Sequence, residues 1–150
     1  MNNYTKYAAM IGTAMVVMYG LTYLNNFKFD HIFFSETRVY MTLLMGAAMA
    51  VIMLLFMLGM YTRNWLNAGI IIGSGCLFVL ALWLVRSQQT VDDVSYMKAM
   101  IPHHSIAILT SSRAKISDPR VRKLADNIID AQEKEIAEMK LLINDLERTQ

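Results

Sequence analysis

The chain has 150 residues, of which 55% are hydrophobic and 10% aromatic, and its mean hydropathy is +0.35, too apolar for an average soluble domain of this size. It reads as a membrane protein, and a net charge of +2 without a basic stripe excludes nucleic-acid binding. Charge also divides the chain: residues 1–85 carry only Lys6, Lys28, Arg38, Arg63, Asp30 and Glu36, and the other twenty charged side chains, ten of each sign, follow from Arg86 onward.

The first half contains three uncharged runs, Tyr7 to Leu24, Val39 to Tyr61 and Asn64 to Val85. Each is close to the roughly 20 residues that cross a bilayer as a helix. Aromatic rings stand near their ends, Tyr7 and Tyr23, Tyr40 and Tyr61, Trp65 and Trp83, where amphipathic rings favour headgroup depth. Three spans are therefore expected. The first is read as a retained helix rather than a signal peptide, because no small-residue cleavage site follows it. Lys6 and Arg63 on one side nearly balance Lys28, Arg38 and Arg86 on the other, so charge does not orient the spans.

Methionine is over-used, 13 of 150, and Met41, Met45, Met49, Met53, Met57 and Met60 recur along the second run. At about 100° per residue they wind over roughly 160° of helix surface. A flexible packing face explains such a stripe; a thioether track carrying Cu(I) through the membrane is the sharper alternative. Gly46-Ala-Ala-Met-Ala50 and Gly69-Ile-Ile-Ile-Gly73 fit close helix approach. Cys76, alone and mid-span, reads as a small apolar filler.

Beyond Arg86 the pattern becomes that of a helical hairpin. Thr90 with Asp93 approximates a capping box and starts a helix near Val91. The helix runs to about Ser112 with Pro102 inside it, where a lost donor and a clash one turn back cost about 3 kcal/mol and favour a kink. A helix ending near Ile101 and restarting is the alternative. Asp118-Pro119 starts the next helix, aspartate as cap and proline in the first turn. Val121, Leu124, Ile128, Gln132, Glu135, Met139, Leu142 and Leu146 then recur at core-stripe spacing. Gln132 and Glu135 interrupt it, and a polar group taken from water unpartnered costs about 1–3 kcal/mol.

A hairpin turning at Lys115 to Ser117 brings those interruptions opposite Met97-Lys-Ala-Met100-Ile-Pro102-His103-His104. Thioether and imidazole together favour copper over magnesium, calcium or manganese. Met97, Met100, His103, His104, Gln132, Glu135 and Met139 thus form a candidate copper site. Cu(I) is favoured, and Cu(II) is chemically admissible. Adjacent histidines point about 100° apart, so only one of His103 and His104 aims at the hairpin centre.

The run Asp93-Val-Ser-Tyr96-Met97-Lys-Ala-Met100-Ile-Pro-His103-His104-Ser-Ile-Ala107-Ile108, followed by Ala125 and Gln132-Glu-Lys-Glu135-Ile136-Ala-Glu-Met139, resembles the domain-of-unknown-function 305 family. That family includes periplasmic copper-binding proteins with a ferritin-like helical fold. The resemblance implies Met97, Met100, His103, His104 and Met139 as copper ligands, with Asp93, Gln132 and Glu135 as supporting or direct contacts. Thr110 stands where the family usually has a methionine, which leaves the site one thioether short or differently completed.

The expected architecture is all-α: a transmembrane domain over 1–86, with spans at about 7–24, 39–61 and 64–85, then a ferritin-like copper-binding hairpin over 87–150. Two helices bury too little core alone, so association with further copies is expected. The expected function is copper sequestration, delivery or tolerance at a bacterial cytoplasmic membrane, the tail on its outer face by the family's example, with a copper donor or acceptor protein as partner. Catalysis is not expected, since no activated nucleophile is visible and a di-iron oxidase needs Glu-x-x-His pairs that the chain lacks. A membrane assembly module whose methionines and histidines merely pack is the structural alternative.

Overall fold

The computed structural model describes residues 2–149 and builds them into five α-helices: α1 (Asn3–Leu21), α2 (Glu36–Phe56), α3 (Asn64–Ser87), α4 (Asp93–Arg113) and α5 (Pro119–Thr149). Short 3₁₀ turns lie at Phe29–His31 and Leu58–Met60, and no strand occurs among the described residues. Two compact units result, one from residues 2–22 and 37–90, the other from residues 23–36 and 91–149. The second unit therefore takes in residues 23–36, which a division at residue 86 assigns to the membrane half.

Two helices of the first unit are long and apolar enough to cross a membrane: α2, 21 residues with mean hydropathy 2.3, and α3, 24 residues with mean hydropathy 2.4. α3 is nearly bare, with 6% of its apolar stretch buried. α1 has 19 residues, but Lys6, three tyrosines and two threonines hold its apolarity below that of the other two. It begins at Asn3, where the Asn2 side chain accepts from the Thr5 amide at 2.9 Å, and ends three residues short of Leu24.

Within this unit Tyr7, Ile11, Ala50, Leu54 and Tyr61 form the buried cluster. The Tyr7 hydroxyl donates to the Ala50 carbonyl, and Tyr4 Oη donates to Asn67 Oδ1 at 2.9 Å. Asn67 Nδ2 in turn donates to the Tyr61 carbonyl at 2.7 Å, so the polar groups of the cluster are satisfied within it. The methionine stripe of α2 divides: Met49, Met53 and Met57 pack on the cluster, whereas Met41, Met45 and Met60 are exposed. Gly46 sits directly beneath the Met15 side chain, which a Cβ there would push aside. Gly69 and Gly73 instead have open space beside them and line an apolar cleft of about 440 Å³.

In the second unit α4 and α5 form an antiparallel hairpin cored by Met97, Ile101, Ile108, Ile136 and Ile143. The start of α4 differs from the capping-box expectation. Asp92 is the cap, its carboxylate accepting from the Ser95 amide at 2.7 Å, while the Thr90 hydroxyl is held 2.7 Å from Tyr40 Oη. An ionised carboxylate one residue before the helix is the stronger acceptor for the first free donors. α4 continues unbroken through the buried Pro102 to Arg113. The Asp118-Pro119 start is borne out, with Asp118 Oδ1 accepting from the Arg120 amide at 2.8 Å.

The core stripe of α5 is rotated from the expected one. Ala125, Ile136 and Ile143 are buried, helped by Ile129, Met139 and Leu146, whereas Val121, Leu124 and Leu142 are exposed. The helix carries two apolar flanks, and α4 covers only one.

Residues 23–36 clamp the hairpin from one side, packing Phe27 and Phe33 on its core. The Phe27 amide donates to Ser105 Oγ at 2.7 Å, and the buried His31 Nδ1 lies 2.9 Å from the same hydroxyl. Lys140 Nζ donates to Asp30 Oδ2 at 2.6 Å, closing the clamp onto α5. Loss of hydration holds the His31 imidazole below its ordinary pKa of 6.5; Lys28 and Lys140 act in the same direction, Asp30 and Glu133 oppose them. The fold thus favours neutral His31. Its contribution is complete above pH 6.5, shrinks as the pH falls from 6.5 toward the lower folded value, and is constant below that. Hydrogen exchange at the Phe27 amide, corrected for intrinsic rates, is accordingly expected to accelerate below pH 6.5. A His31→Gln variant should lose that step.

Candidate metal centre

Asp93, Met97, Met100 and His104 follow one another at steps of four, three and four on α4, so they return to one face. Glu135, Met139, Leu142 and Leu146 repeat the same steps on α5. The antiparallel hairpin lays these rows against each other, and their side chains, with Tyr96, Glu138 and Asp145, line an open cavity of about 670 Å³.

His104 and Glu135 mark one end of it, Nδ1 to Oε2 at 3.1 Å. The imidazole is largely covered, its side chain 13% exposed, against 51% for the carboxylate. Although the two atoms are close, their alignment does not make a hydrogen bond, and Nδ1 is a buried nitrogen without a hydrogen-bond partner. Such an orphan costs roughly 1–3 kcal/mol unless something else binds it. Desolvation depresses the His104 pKa below 6.5; Glu135 pulls it up and His103 pushes it down, and desolvation prevails. The neutral ring keeps a lone pair free for a metal near neutral pH.

Gln132 does not line the cavity, but its Nε2 lies 3.4 Å from the same Glu135 oxygen that faces His104. Its place is that of a positioning residue for the carboxylate. His103 is exposed and outside the cavity, its ring centroid 6.0 Å from that of His104. Of the eight residues the sequence assigns, six therefore share the cavity: Asp93, Met97, Met100, His104, Glu135 and Met139. Tyr96, Glu138 and Asp145 join them without having been singled out as site residues. Tyr96 lies three positions from Asp93 and Glu138 three from Glu135, which is the signal that was available; Asp145, six positions beyond Met139, had none so near.

Among the described residues no three His, Cys, Asp or Glu side chains converge as a metal-binding group. A metal held here would rely on the thioethers beside one imidazole and one carboxylate. That donor set fits a soft cation with few ligands and does not fit calcium or magnesium, which take six or more oxygens or waters.

Residues 87–150 match the family model described as "Domain of unknown function (DUF305)". An "Uncharacterized protein L153" of Acanthamoeba polyphaga mimivirus is 37% identical over 71 residues, covering 46% of this chain and 47% of that protein. The chain thus spans about half the length of the curated relative it matches. No solved structure matches the chain.

Proposed function

We propose that the chain is a membrane-anchored copper-binding protein, taking copper as cargo through Met97, Met100, Met139 and His104, with Glu135 at the same centre and Gln132 positioning it. One observation carries this reading: His104 lines a cavity together with three methionines, and its buried Nδ1 has no hydrogen-bond partner. A core histidine that merely packed would have its ring nitrogens satisfied. Cu(I) is the preferred ion because thioethers outnumber harder donors; Cu(II) would lean on His104 and Glu135. Asp93, at the far end of the cavity, would act as an outer carboxylate, and His103 stands outside the donor set.

α2 and α3 support anchoring in a membrane, with α1, which shares their buried cluster, as the third span. The family's example supports a bacterial cytoplasmic membrane with the tail on its outer face. Binding, delivery or tolerance is the role proposed, in exchange with a copper donor or acceptor protein, and not catalysis.

Anaerobic Cu(I) titration of the detergent-solubilised full chain, followed by X-ray absorption at the copper edge, tests the reading. The expected spectrum is that of Cu(I) with sulfur and nitrogen scattering together. A spectrum without sulfur scattering would remove the methionines and, with them, the proposal.

A further inference from the structure

Residues 23–36 use their apolar side chains in two ways. Phe27 and Phe33 pack on the hairpin core, the Phe27 amide donates to Ser105 Oγ, and Asp30 is tied to Lys140 of α5. Four other large apolar side chains of the same segment are left outside: Leu24 is 77% exposed, Phe29 93%, Ile32 44% and Phe34 64%. So many in one short segment exceed the scattered single apolar residues of an ordinary water-exposed loop.

Chain connectivity says what surrounds them. Within the first unit the Thr22 carbonyl, at the end of α1, accepts from Arg38 Nη1 at 2.6 Å, and the Thr37 hydroxyl donates to Gln88 Oε1 at 3.3 Å. The residue before the segment, the residue after it and the end of α3 are therefore gathered at one end of that unit. Leu24 lies two residues beyond Thr22, and Phe34 three before Thr37. At up to about 3.6 Å per residue their backbones stay within about 7 and 11 Å of that end. With α2 and α3 across a membrane, the same end lies at the headgroups, in an interfacial layer roughly 5–8 Å deep. Glu36 in the first turn of α2 and Arg86 in the last turn of α3 are the charges that close the apolar stretch there.

We propose that residues 23–36 are an interfacial strap: Leu24, Phe29, Ile32 and Phe34 enter the headgroup and upper acyl layer of the membrane, while Phe27 and Phe33 hold the hairpin of α4 and α5. The partner is the lipid surface itself, taken by apolar insertion. Adsorption to an anionic surface would need a cluster of basic side chains. Lys28 is the only lysine or arginine of the segment, and Asp30 is already engaged by Lys140. The strap rests on the membrane-anchored part of the proposed function and does not depend on copper.

Depth-dependent fluorescence quenching of the full chain in phosphatidylcholine vesicles tests this, with the native tryptophans removed by Trp65→Phe and Trp83→Phe. One tryptophan is then returned as Phe29→Trp or Phe34→Trp, conservative changes at exposed positions, or as Ile72→Trp, 66% exposed within α3, which reports on the span. Phe29→Trp and Phe34→Trp are expected to lose about half of their emission to lipid brominated high on the acyl chain, in the layer about 5–10 Å deep that interfacial side chains occupy, and to resist acrylamide in the water. Ile72→Trp should be quenched best by bromines near the chain ends. Segment tryptophans quenched by acrylamide and not by brominated lipid, with Ile72→Trp still quenched from within the bilayer, would overturn the strap and leave the spans standing. Protection from both quenchers would mean that protein covers the segment, and would overturn it equally. Lipid quenching that is lost in high salt would also do so, because salt screens charge and not apolar insertion. No lipid quenching at any of the three positions would refute the membrane reading and the strap together.

Discussion

Replacing Ile101 by alanine is expected to destabilise the second unit by about 2–5 kcal/mol, the range for removing a large aliphatic side chain from a closed core. Ile101 is fully buried, packed among Met97, Ile108, Ile136 and Ile143. Nothing bridges that gap if it is emptied, because Pro102 follows it and stiffens the backbone on that side. A unit of two helices and one clamp has little stability to spare, since small domains bury a modest fraction of their surface. Amide exchange across α4 and α5 should therefore rise in Ile101→Ala at neutral pH, while exchange in α2 and α3 stays near that of the parent. Leu141, 67% exposed on α5, supplies the contrast. Its replacement by alanine should shift stability by no more than about 0.5 kcal/mol. Equal effects at the two positions would mean that the hairpin core is not the one described. Ile101 is not itself a donor, and it points about 100° away from Met100, although it packs beside Met97. Copper at a hundred times its dissociation constant adds about 2.7 kcal/mol by linkage and should restore much of the loss.

Much of the second unit was legible because its signals are local. Asp118-Pro119 marks a helix start through the cap and the missing donor alone, and the donor row of α4 follows from residue spacing on one helix. The pairing of His104 with Glu135 needed only a short turn and antiparallel geometry. What escaped was non-local. Nothing in the sequence near Phe27 announces that its amide is to be satisfied by Ser105, 78 residues away, so residues 23–36 read as a mere connection between spans. Thr90 has the chemistry of a cap, but Tyr40 engages its hydroxyl, and that partner is 50 residues distant. The stripe on α5 was misplaced for a related reason. Periodicity locates an apolar face but does not say which of two neighbouring faces meets α4, and Leu124 and Leu142 weigh as much in that count as Ile136 and Ile143. Gln132 and Glu135 then looked like faults in the core, whereas they sit on its open flank. In the first unit, three tyrosines and Lys6 separate α1 from the two more apolar helices; length alone had placed all three in one class.

Copper should raise the melting temperature of the parent chain by on the order of 10 °C when present at about a hundred times its dissociation constant, and His104→Ala combined with Met100→Leu should abolish the rise. The two changes remove different donors by different routes. Met100→Leu conserves volume and apolarity, so it should cost under about 1.5 kcal/mol of folding stability while deleting a thioether. His104→Ala deletes the orphaned Nδ1, and the apo variant should be little weaker than the parent, because an unpartnered buried nitrogen stabilises nothing. His103→Ala is the discriminating control. The two histidines are adjacent, yet His103 lies outside the cavity and His104 within it, so His103→Ala should retain the rise. Glu135→Gln keeps the shape of the side chain and its contact with Gln132 but removes the charge facing His104, and should weaken copper about 10- to 100-fold without erasing sulfur ligation. Calorimetry of each variant with and without Cu(I), under anaerobic conditions, reads all four outcomes. Equal losses in His103→Ala and His104→Ala would mean that both rings hold copper, one of them outside the cavity between α4 and α5, and the proposed donor set would be wrong.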